Sequence, residues 1–381
     1  MKTLQLVGDS KYGGATYLII EWCKYLLARD CEVHVLSTDS LTRCALQDVA
    51  RVRVLDGIYI PRDIDLHADS TAFARLLKLF LRERYDVVHS YTATPGVLGR
   101  IAARLARVPA IFHHQAAWTV NGSSSLREKL LFAPLEYLAT LASTRGICVS
   151  HAVAQHAEDH HLAPRRKLTT IPNGIDPSPF FRASDRDALR RELELDSNTV
   201  IIGTTGRLAA DKDCSTLLSA ASRLRTMTDR PFVLVLVGDG PDRPALEAMS
   251  SRLAVDDVVR FLGFRSDIPR LLNGMDVFLT AALREGLSIS LLEAMAASCP
   301  IVATSILPNA ELIEQEKTGL LVDVRSPGQM AGAIMQFARE PGLALRCGSA
   351  ARELVLHKYT LSRMFAQTWE LYNEFAGERN G

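Results

Sequence analysis

At 381 residues, with 48% apolar and 23% charged side chains and a formal net charge of +1, the chain is long enough for two or three packed domains and has no basic excess to hold nucleic acid. Its seven cysteines are odd in number and include no C-x-x-C pair, which argues against a disulfide frame or a zinc site and for reduced thiols in a cytoplasmic protein. The start, MKTLQLVGDS, has too short an apolar run for a signal peptide, and no run of 18 apolar residues offers a spanning helix.

Residues 4–7 read as a short strand, GDSKYGGA as a loop and 16–28 as a helix. Gly13 and Gly14 in that loop would let backbone approach a phosphate or sugar at the helix start, although most Gly-Gly pairs only make the turn. Strands are expected at 32–37, 52–55, 86–89, 110–113 and 146–150, and helices at 71–84 and 95–107. Such alternation gives a parallel sheet covered by helices on both faces. Ser150 ends one of these strands, where such sheets place ligands. Asn173-Gly174, followed by Pro177 and Pro179, is turn chemistry with stiff flanks, and the domain boundary is expected there.

The pattern then restarts. Strands at 200–203, 232–237, 259–262, 277–280, 301–304 and 320–322 alternate with helices at 214–227, 267–273 and 286–297, and further helices run to the end. The last, at 362–375, carries Phe365, Trp369 and Tyr372 on a large apolar face. The expected domains are 1–175 and 176–361, with 362–381 as a terminal helix.

The stretch DVFLTAALREGLSISLLE, 276–293, has the geometry that meets phosphates: a buried strand, a turn, and a helix starting near Gly286. Glu285 sits at the mouth of that helix and Glu293 about two turns on, roughly 10–12 Å away. One carboxylate could hold a sugar hydroxyl and the other a ribose diol, on opposite sides of a diphosphate. Two acidic residues on an exposed helix is the plainer reading of the same spacing. Arg207 and Lys212 follow the 200–203 strand; the plainer reading makes them solvated bases beside Asp211 and Asp213. His113 and His114 end a strand, where a packed or solvated histidine is the ordinary alternative. His156 and His160 have metal-ligand spacing but no third ligand, and read as a surface helix. Asp63-x-Asp65 and Asp211-x-Asp213 are D-x-D pairs without the setting that would hold a metal. The 71–84 helix carries Phe73, Leu76, Leu77 and Phe80 with Arg75, Lys78, Arg82 and Arg84. It is either a basic amphipathic helix lying on anionic lipid or a helix packed on the sheet with its bases in water.

EGLSISLLEAMAASCPIVAT resembles the E-x7-E segment of the family 4 retaining glycosyltransferases. GRLAADKD, IPNGID and DVVHSYTATPGVLGRIAARLARVPAIFHH are similar to segments of the same family. The resemblance spans nearly the whole chain and is strongest over 171–322. It implies an α/β chain of the GT-B fold: two facing Rossmann-like domains with parallel sheets, and a C-terminal helix crossing back to the N-terminal domain. By resemblance, Glu285 binds the donor sugar, Glu293 the ribose, and Arg207 with Lys212 the leaving diphosphate. Gly263, Phe264, Gly286, Leu287 and Ser288 complete the implied donor-binding set. Gly13, Gly14 and His114 would contribute from the facing domain, with His113 the alternative to His114 because Gln115 replaces the usual Gly or Asp. Neither a metal nor a cofactor is expected. The sequence offers no obvious carboxylate nucleophile, so the family's same-face attack within a tight ion pair is implied.

The activity so implied is transfer of a hexose, with retention, from a UDP- or GDP-sugar to a glycan or lipid-linked acceptor in cell-envelope polysaccharide synthesis. The protein would be cytoplasmic, with peripheral contact to the inner face of the membrane and no nucleic-acid partner. A nucleotide-sugar epimerase on the same fold and a non-catalytic nucleotide-sugar-binding protein are the rivals. Two departures leave the sugar's identity open: 306–311 replaces the family's Gly-Gly before its late Glu, and Ser298 replaces a frequent Gly.

Overall fold

The structure, a computed structural model, describes residues 1–8, 14–61, 65–121, 124–182 and 185–377. Gly13 and Asp63 lie outside the described residues. The chain forms two compact units, one of Met1–Pro172 with Met364–Gly381, the other of Asn173–Arg363.

Unit 1 is built on seven parallel strands: β1 (Lys2–Val7), β2 (Glu32–Ser37), β3 (Val52–Val54), β4 (Val87–Ser90), β5 (Ala110–Gln115), β6 (Arg145–Cys148) and β7 (Leu168–Thr170). Their order is β3-β2-β1-β4-β5-β6-β7. Leu4, Leu6, Leu36, Val88 and Ile111 from the strands pack with Leu76, Leu79 and Phe80 of the Leu66–Glu83 helix. Burying each such side chain stabilises the fold by roughly 1.5–3 kcal/mol. That helix starts five residues earlier than its apolar pattern suggests, because the Asp65 carboxylate caps it, accepting from the N–H groups of His67 and Ala68. Its apolar stripe is used on the sheet, with Phe73 and Leu77 also packed against the core. Arg75, Lys78, Arg82 and Arg84 face water. Of the two readings of this segment, the sheet-packed helix holds.

A helix with no periodic signal, Leu126–Ala142, precedes β6. Its sequence is apolar nearly all round and contains Pro134, so no stripe stands out. A capping box between Ser125 and Glu128 starts it. From Met364 onward the last helix, Leu361–Ala376, belongs to unit 1. Its Tyr372 is fully buried, stacked on Phe112 at 5.1 Å and edge-on to Trp22 at 5.3 Å.

Unit 2 has six parallel strands: β8 (Val200–Thr205), β9 (Phe232–Val237), β10 (Val259–Gly263), β11 (Val277–Thr280), β12 (Ile301–Thr304) and β13 (Leu320–Val322). Their order is β10-β9-β8-β11-β12-β13. Ile202, Leu234, Leu236, Leu279 and Val302 form its core with Leu217, Leu218 and Met330 from helices. In each sheet the order reverses once, between β1 and β4 and between β8 and β11. Chains leaving two such strands in opposite directions open a crevice at their carboxyl ends.

The helix after β11 is Ile289–Ala296, not one beginning at Gly286. Ser288 is its N-cap, its hydroxyl accepting from the Leu291 N–H at 3.3 Å. Serine supplies the cap that glycine lacks, so Glu285 and Gly286 stay in the loop.

Candidate active site

The unit 2 crevice is floored by the ends of β8 and β11. A cleft there is lined by Thr204, Thr205, Gly206, Arg207, Lys212, Thr280, Glu285 and Ser290 among others. The loop after β8 is pinned on both sides of Arg207. Gly206 N–H donates to the Val237 carbonyl at 2.9 Å and Leu208 N–H to that of Asp239 at 3.0 Å. This clasp needs glycine opposite it: a Cβ on Gly238, whose φ is +130°, would lie 1.9 Å from the Gly206 carbonyl oxygen. Arg207 then extends into solvent, held by Asp211 at 3.0 Å.

Lys212 ends the short 3-10 turn Ala210–Lys212. Leu283 N–H donates to the Asp211 carbonyl at 2.8 Å, tying the β11 loop to that turn. Across this tie the Lys212 ammonium forms an ion pair with Glu285, whose carboxylate is largely buried. Asp213 sits in left-handed backbone at φ 45°, just before the Cys214–Leu224 helix. Its carboxylate accepts from the hydroxyls of Ser215 and Thr216 at 2.5 and 2.7 Å. Neither carboxylate of Asp211-x-Asp213 is therefore idle.

Glu293 lies on the Ile289–Ala296 helix, and burial pushes its carboxyl up to about 7. An acid so placed is about half protonated at neutral pH, and a ligand that favours the ionised form would draw the proton off. Ser288 and Leu287 are buried. Gly263 bends the end of β10 at φ 65° and its carbonyl accepts from Gly238 N–H at 2.8 Å, while the Phe264 ring beyond it stands exposed. Where the family has Gly-Gly, Leu307–Ala310 forms one helical turn, locked by Asn309 Nδ2 donating to the Thr304 carbonyl at 2.9 Å.

In unit 1, Gly14 heads the helix Gly14–Leu27. His113 and His114 lie on opposite faces of β5. His113 Nδ1 shares a hydrogen bond with the Ser90 hydroxyl at 2.9 Å, under a helix turn where a Cβ on Gly96 would meet its ring at 2.5 Å. Burial, then the Arg100 charge, holds His113 well below its ordinary pKa. His114 lies beside Tyr91 at 5.6 Å and His89 at 6.1 Å. Ser150 caps the His151–Asp159 helix. The rings of His156 and His160 stack at 4.1 Å, and His156 Nε2 bonds the Val120 carbonyl. Among the described residues no cluster of three metal-ligating side chains occurs.

The charged residues of the crevice are those the sequence points to. The hydroxyls of Thr204, Thr205, Thr280 and Ser290 are not, and Thr205 Oγ1 is buried without a hydrogen-bond partner. Paired Thr residues ending a strand that precedes a basic loop were the available signal.

Residues 185–354 match the family of glycosyl transferases group 1, and residues 12–179 match glycosyltransferase family 4. The chain is 29% identical over 303 residues to the UDP-Gal:alpha-D-GlcNAc-diphosphoundecaprenol alpha-1,3-galactosyltransferase of Escherichia coli, spanning 77% of each chain. It is 25% identical to the N-acetyl-alpha-D-glucosaminyl L-malate synthase of Bacillus anthracis, over 82% of this chain and 81% of that one. In fold it is similar to Anabaena HepE in complex with UDP-glucose, with a TM-score of 0.85 and 23% identity over 98% of this chain and 100% of the other.

Proposed function

Because the chain is a glycosyltransferase of the family 4 type with the GT-B fold, we propose that the β8/β11 crevice of unit 2 holds a UDP- or GDP-sugar, which gives its sugar, with retention, to a lipid-linked glycan. The observation that carries this reading is the Lys212–Glu285 ion pair. It brings a cation suited to phosphate and a carboxylate suited to sugar hydroxyls to one point, beside Arg207.

An incoming diphosphate competes for the Lys212 ammonium and frees Glu285 to accept from a sugar hydroxyl. Arg207 can chelate phosphate oxygens in bidentate fashion, and Lys212 adds a mobile point charge. As the bond from the anomeric carbon to the phosphate oxygen breaks, negative charge grows on the diphosphate against these fixed cations, each worth about 3–4 kcal/mol in the transition state. Glu285 is the only carboxylate among the cleft's described lining residues. With no second one for a covalent intermediate, the acceptor hydroxyl attacks on the face the diphosphate leaves: its oxygen bonds to the anomeric carbon and its proton passes to the departing phosphate oxygen. Glu293 holds the ribose diol. The acceptor class draws on the E. coli relative, whose name gives a diphosphoundecaprenol-linked sugar; a role in cell-envelope polysaccharide synthesis follows from that class.

Charge compensation without a divalent ion is part of the proposal, since Asp211 and Asp213 are committed to Arg207 and to the Ser215 and Thr216 hydroxyls. The test is a nucleotide-sugar screen by thermal shift, then mass analysis of acceptor products. Turnover should persist in excess EDTA. Glu285→Gln should lower it by about two orders of magnitude or more, while UDP affinity stays within several-fold because Lys212 is released. Loss in EDTA restored by Mn²⁺ would overturn the division of charge. Donor consumption without a glycosylated product would favour an epimerase, and binding without turnover a non-catalytic protein.

A further inference from the structure

We propose that the outer face of the Leu126–Ala142 helix, with the basic cluster at its end, docks on an anionic lipid bilayer. This helix is turned inside out with respect to water. Glu136, Ala139 and Thr140 are buried, whereas Leu126, Leu130, Leu131, Leu135, Leu138 and Leu141 are exposed, the first two by 72% and 69%. At 100° per residue these leucines spread over an arc of about 180°. The only charged residue within that arc is Arg127.

The inward polar face is fixed and cannot roll the leucines in. Arg100, 1% exposed, donates to Glu136 at 3.2 Å, to Thr140 at 3.3 Å and to the Gly96 carbonyl at 2.7 Å. The second Glu136 oxygen accepts from the Thr119 hydroxyl at 3.0 Å. The exposed face is therefore the helix's settled orientation.

The surroundings are cationic. At the C-terminal end Lys167 Nζ donates to the carbonyl of Ser143, the C-cap residue, at 2.6 Å. Arg104, Arg145 and Arg166 lie close enough to add to burial in lowering the Lys167 pKa. Leu105, 60% exposed, extends the apolar surface beside Arg104. At the N-terminal end Arg127 and Lys129 outnumber Glu128.

This pattern selects lipid over a second copy of the chain. The helix is about 26 Å long, and its face offers roughly 400 Å², half of the ~800 Å² per partner of a stable interface. Both ends carry excess positive charge, so pairing two copies, parallel or antiparallel, sets cation against cation. Anionic headgroups neutralise both ends while the leucines enter the acyl boundary.

The test uses the full chain and vesicles of phosphatidylglycerol with phosphatidylcholine, sedimented at low salt without nucleotide sugar, so its outcome is independent of donor chemistry. Wild type should co-sediment. Affinity should fall about tenfold or more with phosphatidylcholine alone, with Leu130→Glu/Leu138→Glu, and with Arg104→Gln/Arg166→Gln. Leu81→Glu, on an exposed position of the Leu66–Glu83 helix, should bind as wild type. Circular dichroism melts establish that these exposed substitutions leave the fold intact. Failure of wild type to sediment, or unchanged binding by the leucine variant, would overturn the proposal. So would a wild-type dimer in ultracentrifugation that the leucine variant dissociates, which would give the face to a second copy.

Discussion

Glu293 shows how one buried carboxyl links stability to pH. Its ordinary value is 4.5 and burial raises it to about 7. Between those limits the folded protein binds a proton that the unfolded chain has released. Stability from this group is therefore full below about 4.5 and is lost as pH rises through 7. In the ribose role proposed for Glu293, a diol donating to the carboxylate favours the ionised form. UDP affinity should then rise by up to about tenfold from pH 6 to 8, beyond the rise from the nucleotide's own ionisation. Titration calorimetry on wild type and Glu293→Gln separates the two, and identical pH profiles would remove Glu293 from the ribose. Residue types were legible in part: Glu285, Arg207 and Lys212 line one crevice, while Glu293 is buried on the helix that follows the Glu285 loop. Their pairing was not, because Lys212 and Glu285 are 73 positions apart and only the β8/β11 adjacency joins them.

Among the elements, the Arg100–Glu136 pair is the joint between Ala93–Leu105 and Leu126–Ala142. Glu136→Ala leaves a guanidinium buried without its counter-charge and should cost unit 1 about 3–5 kcal/mol. Arg100→Met/Glu136→Leu should recover much of that, as read by denaturant unfolding; a double variant no better than the single one would show that hydrogen bonds to Gly96 and Thr140 dominate. The strands were the most readable elements. β9, β11, β12 and β13 coincide with their apolar runs, since strands buried on both faces need no alternation, and β2 matches its expected bounds although polar residues interrupt it. The Leu126–Ala142 helix escaped for another reason: Phe132 and Ala139 lie opposite its leucines, so apolar residues run nearly all round and no narrow 3.6-residue stripe marks it. Caps moved the other boundaries, Asp65 advancing one helix and Ser288 delaying another.

At the scale of the molecule, two parallel sheets follow from the repeated β-α pattern, and the discontinuous make-up of unit 1 adds a dependence between distant segments. Tyr372 fills the space between Trp22 and Phe112, and its hydroxyl meets His89 Nδ1 at 2.8 Å. Tyr372→Ala should cost about 3–5 kcal/mol and lower amide-exchange protection in β1, β4 and β5, leaving β8 and β9 unchanged. Equal loss in both units would show that they unfold as one.

The return of residues 364–377 to unit 1 also sets an order of completion during synthesis. Unit 2 is continuous from Asn173 to Arg363, so a ribosome has delivered all of it before the last helix is made. Through that interval Trp22, His89 and Phe112 wait without the Tyr372 ring that covers them. A growing chain usually finishes its N-terminal domain first; here the domain begun first is the one closed last, and its open core must be kept from aggregation for the time needed to translate the whole of its neighbour.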